Sequence, residues 1–300
     1  MRYSLTNRIR GALIGGLLGQ SLAAAEEEEP FYSTGAVEGM LMLIASGSFD
    51  LDEWNKFQSS AYNSELPSDL MLLNSISTAL PIALFFHENH LKLRQNLLLI
   101  TKTHNPLLRD AVLAVCYLVA QSLNEKINPN TLISEITSFI GETTSGLPRK
   151  LQQVNNLIAN NIGYSELQNC LDKENNISNI TTDAFYCFVN TKEDFRLTCL
   201  QAIKNQHNSK VCGAIAGVIS GSYNSIAGIP ITWHLGLDEA KLAQWGLTSF
   251  SQMVKLADAF VAIWSGAYHV SPQSIELKEV DRDLISPVEA IAAPNIIRLR

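Results

Sequence analysis

The residues able to do chemistry are sparse and sort quickly. His87 and His90 stand as H-x-x-H, a spacing that would bring two imidazoles to one metal on a helix face. They fall in a polar connector between two apolar runs, so they read as surface histidines. His104 lies in Thr103-His104-Asn105-Pro106, a turn leading into a helix, while His207 and His234 flank a long uncharged stretch. The cysteines, Cys116, Cys170, Cys187, Cys199 and Cys212, are odd in number and scattered. Without C-x-x-C or a Cys/His zinc spacing they read as reduced thiols of a cytoplasmic protein. Cys212 sits in an apolar run where a thiol serves packing rather than nucleophilic attack. Glu38, Asp183 and His104 are the candidates for general acid or base work. Glu26 to Glu29 read as a solvated acidic loop. Serine-hydrolase, zincin, P-loop and dinucleotide signatures are missing from the sequence.

The bulk properties narrow the classes further. The chain has 300 residues, a formal net charge of −7, 46% hydrophobic and 17% charged residues. That is too apolar for a disordered chain. It also lacks the net basic character that nucleic-acid binding draws on. No nucleic-acid partner is expected.

Periodicity predicts helices nearly throughout. Expected spans are Arg8–Ala25, Thr34–Gly47, Ser68–Phe86 (with Ser68 as N-cap), Leu91–Thr101, Leu107–Leu123, Thr131–Ile140 and Leu147–Ala159. After an Asn-rich surface loop at Asp172–Thr182 come Asp183–Val189, Thr191–Lys204 and Lys210–Tyr223, then a helix carrying Met253, Leu256, Phe260 and Trp264 on one face. The expected fold is all-α, with residues 1–270 as one helical domain and 271–300 as a C-terminal extension, possibly in extended form.

Two segments imitate targeting signals. Arg2, Arg8 and Arg10 precede an apolar run ending near Ala23-Ala24-Ala25, and secretion would give meaning to sequons at Asn176 and Asn179. Gln20, Ser21 and four glycines instead favour a tightly packed core helix. Val211–Leu237 carries no Asp, Glu, Lys or Arg, but Pro230 and Asn224 break it. Its Gly213, Gly217 and Gly221 form a smooth stripe for a closely approaching helix, either internal or between subunits. No membrane span is expected.

Several stretches carry a resemblance. Arg10-Gly11-Ala12 through Gly19-Gln20-Ser21-Leu22-Ala23 is similar to the opening helix, R-G-A-x-x-G-x-x-x-G-D-A-L-G, of the ADP-ribosylglycohydrolase family. Pro81-Ile82-Ala83-Leu84, Thr103-His104 and Glu193-Asp194-Phe195 resemble further family stretches. Gly213-Ala214-Ile215-Ala216-Gly217 through Tyr223, then Ile229-Pro230 and Trp233, resembles its G-A-I-A-G…Y…I-P…W block. The matches are collinear over roughly Arg8 to Trp233. They imply an all-α fold with a central cleft, where family enzymes use two Mg²⁺ to cleave an ADP-ribosyl bond.

The family's acidic ligands have no counterparts here. Its T-D-D falls on Ser33, Thr34 and Gly35, or one place later, and its D-x-D-T on Asn208, Ser209, Lys210 and Val211. The aspartate of the opening helix is Gln20. Two Mg²⁺ need carboxylates to hold them and to offset their mutual repulsion. The expected cofactor set is therefore none. By analogy the Lys210 ammonium takes the vacated metal position or points to solvent, and Glu38 is the acid that would pair with it.

The cleft candidates are Thr34, Gly35, Glu38, His104, Asn208, Ser209 and Lys210. The expected function is a catalytically inactive member that binds an ADP-ribose-like or nucleotide ligand, or a protein partner. The alternative is a hydrolase of ADP-ribosyl or related glycosidic bonds with a one-metal or metal-free site.

Overall fold

The computed structural model describes residues 3–23, 33–61, 66–160, 166, 177–204 and 209–266. These residues form helices without a strand. In chain order they are α1 (Leu5–Leu22), α2 (Gly35–Ser46), α3 (Leu51–Ala61), α4 (Ser68–Phe85), α5 (His90–Ile100), α6 (Pro106–Leu123) and α7 (Leu132–Ile140). Then follow α8 (Leu147–Ala159), α9 (Ile177–Asn190), α10 (Phe195–Ala202), α11 (Ser209–Asn224), α12 (Ile231–Leu235), α13 (Glu239–Ala243) and α14 (Phe250–Ser265).

The centre is the antiparallel pair α1 and α11, the most extensive helix contact among the described residues. Glycines make it possible. A Cβ on Gly11 would collide with the Gly221 carbonyl, one on Gly15 with that of Gly217, and one on Gly19 with that of Gly213. The collisions are reciprocal from the α11 side. The stripe is thus an internal contact, backbone against backbone. Around it pack α4, α6, α9 and α10, and the Leu and Val side chains of α6 are buried along its whole length from Leu108.

Local signals set the helix ends. Ser4 accepts from Asn7 N to start α1, and Asn105 accepts from Leu108 N at α6, where Pro106 takes the first helical position. Gly47, at φ 66°, ends α2 with its N–H on Leu43 O. The end of α6 is closed by Arg8, 2% exposed, whose guanidinium donates to Ser122 O at 2.6 Å and pairs with Glu125. Burial lowers the Arg8 pKa, and Glu125 opposes that shift.

Several expectations need correction. Ser68 is the first helical residue of α4; the capping position is Pro67, with no side-chain bond. His87 is not on the surface: it is buried, hydrogen-bonded through Nδ1 to Leu84 O at 2.7 Å, and its ring lies 4.8 Å from that of Trp264. The Asn-rich stretch becomes helix from Ile177, with Ser178, Asn179, Thr181 and Thr182 all buried. Asn179 accepts from Lys150 Nζ at 2.7 Å, so its side chain is committed inside the fold; Asn176 lies outside the described residues. Helices α3, α12 and α13 were not expected. Among the described residues two helices, α4 and α6, are long and apolar enough to cross a membrane, and most of each is buried inside the fold.

Candidate functional site

The tight α1/α11 contact dictates what meets at one end of the pair. With Gly19 against Gly213, Gln20 comes beside the first turn of α11, which holds Ser209, Lys210 and Cys212. Gln20 is 2% exposed and its carboxamide is spoken for on both sides. Its Oε1 accepts from Trp245 Nε1 at 2.9 Å, and its Nε2 donates to Gln244 Oε1 at 3.1 Å.

The same segment secures the start of α2. Ser33 N donates to Gln244 O at 2.6 Å. Ser77 of α4 donates to Ser33 O at 3.2 Å and accepts from Ala36 N at 3.0 Å. Gly35 presses on Thr78, whose methyl would lie 2.6 Å from an added Cβ. Thr34 and Gly35 are therefore held between α4 and the turn after α13. Trp245 lies over Gly16, where an added Cβ would come within 2.6 Å of the indole. It also closes an apolar cavity walled by Ser77 and Leu80 of α4 and by Ala214 and Val218 of α11.

His104 joins the site through α4. Its Nε2 lies 3.1 Å from Ser75 Oγ, one turn before Thr78. Burial lowers the His104 pKa, which keeps the ring neutral near pH 7. Asp183 takes a different position. It is fully buried on α9, accepts from Cys187 Sγ at 3.8 Å, and is hydrogen-bonded with Cys212. Burial, reinforced by the Asp183 carboxyl, pushes the Cys212 thiol well up, so it is not a poised nucleophile.

Of the cleft candidates, Thr34 and Gly35 lie at this junction, and Ser209 and Lys210 are half-buried at the neighbouring end of α11. Glu38 is exposed, and Asn208 lies outside the described residues. Ser75, Ser77, Gln244 and Trp245 are site residues that sequence reasoning missed. Two hydroxyls here, Ser21 Oγ and Ser33 Oγ, are buried with no hydrogen-bond partner among the described residues. Unmet buried polar atoms of this kind call for a ligand or water.

The fold and this junction of helix ends define an all-α protein built like a known class of glycohydrolases. A solved structure described as an "ADP-ribosylglycohydrolase-related protein complex" superposes with a TM-score of 0.58 at 15% identity, covering 87% of this chain and 99% of that one. A comparison with curated proteins finds no match. The family model for ADP-ribosylglycohydrolase matches residues 28–269. The chain belongs to the ADP-ribosylglycohydrolase family.

Proposed function

We propose that this family member is a binding module, for an ADP-ribose-like or nucleotide ligand or for a protein partner, that does not work through a pair of Mg²⁺ ions. The observation that carries the reading is Gln20, a neutral carboxamide buried at the end of α1 and held by Trp245 and Gln244. The donor chemistry around it supports the same view. Ser33, Thr34 and Gly35 offer hydroxyls and backbone, and Lys210 brings a positive charge. Among the described residues no group of three or more His, Cys, Asp or Glu is placed to hold a metal. Hydroxyl and amide dipoles do not offset the repulsion between two divalent cations, so these residues do not fit the family's metal pair.

What the site does offer suits a polar, oxygen-rich group that carries negative charge. The Ser33 hydroxyl can donate or accept, and the backbone N–H groups opening α2 face electronegative atoms favourably. A second reading, metal-free hydrolysis of a glycosidic bond, rests on the His104–Ser75 pair, which places a neutral imidazole on the same side of α4 as Gly35.

Thermal-shift titration with ADP-ribose, Mg²⁺ and Mn²⁺, separately and together, tests the proposal, since a ligand of the native state raises Tm by mass action. A rise with ADP-ribose alone supports the small-ligand form. No rise with any of the three leaves the protein-partner form. A rise that requires Mg²⁺ or Mn²⁺ overturns the metal-free site.

A further inference from the structure

On another part of the molecule, α5, α6 and α7 enclose an open groove of ≈ 440 Å³, within the range of small-molecule sites. Its lining is the side chain of Leu91, 77% exposed, with the outer edges of Tyr117 and Phe139, whose rings are otherwise buried with centroids 4.6 Å apart. Its polar groups are His90, Arg94 and Glu135.

These groups do not neutralise one another. Arg94 spends its Nε and Nη2 on the carbonyls closing α7, Phe139 O at 2.6 Å and Ile140 O at 3.1 Å. Among the described residues Glu135 takes hydroxyl donors, Tyr117 Oη at 3.3 Å and Thr131 Oγ1 at 2.6 Å, and no cation. A carboxylate at a groove edge with no positive partner among the described residues is open to a cation.

Two acceptors are buried beneath the groove, beside the Tyr117 ring. His90 hydrogen-bonds the His87 carbonyl, which makes the nitrogen it uses the protonated one; its Nε2 is buried with no partner. Gln121, 4% exposed, donates to Tyr117 Oη and leaves its own Oε1 buried without a partner among the described residues. Around Tyr117 the unmet demand is for hydrogen-bond donors.

We propose that this groove is a binding site for an organic cation: a primary ammonium or similar N–H donor on an apolar body. The head group bonds Glu135, and the body lies on Leu91 and the edges that Tyr117 and Phe139 leave exposed. His90 adds no competing positive charge, because burial and the charge of Lys126 both lower its pKa. Nothing in this inference depends on the α1/α11 junction.

The test is calorimetric titration of the full chain with phenethylammonium, using phenethyl alcohol as the uncharged probe. The amine is expected to bind saturably and the alcohol at least about tenfold more weakly, the scale of one charge-assisted hydrogen bond. Glu135→Gln should weaken the amine by about the same factor. Ser138→Trp, at an exposed position in the groove wall, should block it while leaving every internal bond in place. Because both variants change only partly or fully exposed positions, circular dichroism is expected to match the parent. Equal binding of amine and alcohol, an undiminished response in both variants, or no saturable binding of the amine would each overturn the proposal.

Discussion

The α1/α11 pair has two regions that follow different rules. Along Gly11, Gly15 and Gly19 the contact is steric, backbone against backbone, and every added carbon collides. One residue further on, at Gln20 and the first turn of α11, side chains return and chemistry decides. The first region dictates where the helices lie; the second dictates what the junction can hold. Helix placement and the side chains presented at the junction can therefore vary independently.

Breaking the steric region should produce the largest effect. Gly217→Val is expected to destabilise by more than about 4 kcal/mol, because its side chain meets Gly15 backbone that has no rotamer to yield. Urea denaturation, or failure to obtain folded protein, reads this out. Gly146→Ala, with nothing within 4 Å of the added carbon, should stay within about 0.5 kcal/mol of the parent.

Trp245→Ala attacks the junction and is expected to cost about 3–5 kcal/mol, since it enlarges an existing cavity and strips Gln20 of its donor. Trp245→Phe retains most of the bulk and should cost about 1–3 kcal/mol, isolating the hydrogen bond. A sharper loss in the Phe variant than in the Ala variant would contradict the geometry.

A smaller effect should appear with pH. His87 is buried and its pKa is lowered, mainly by desolvation. On acidification through the ordinary histidine range the unfolded chain takes up a proton that the folded chain resists. Stability should therefore fall as pH drops below about 6.5 and level off below the lowered value. His90, His104 and His234 shift in the same direction. His87→Phe should lower Tm at neutral pH yet flatten this slope. An unchanged slope would assign the effect to the other three.

The smallest expected effect is a null. Gln20→Asp restores one carboxylate beside Trp245, but a single acid does not hold two divalent ions. No Mg²⁺-dependent rise in Tm is expected from it.

How far the sequence reveals this molecule differs between the two regions in the same way. Glycines every four residues in Gly213–Gly221 announce a close helix contact because only their spacing matters. The neutral Ser33–Gly35 stretch and Lys210 were also legible, through family resemblance. Trp245 was not, since its role is created by Gln20, 225 positions away, and nothing local marks it. His87 and Asn179 look like surface residues because polarity predicts exposure; both are buried on the strength of partners supplied by tertiary structure. Helix α3 carries its apolar groups at Trp54 and Phe57 amid polar neighbours, too sparse a pattern to declare itself.

The central contact also bears on how the chain is made. Gly19 and Gly213 are 213 − 19 = 194 positions apart, so α1 leaves the ribosome long before its partner exists. At about 5–20 residues per second that interval is about 10–40 s. Throughout it an apolar helix must wait with its glycine face uncovered. Synthesis thus leaves a window in which that face is open to other partners, and slowing translation just before residue 209 should lengthen it.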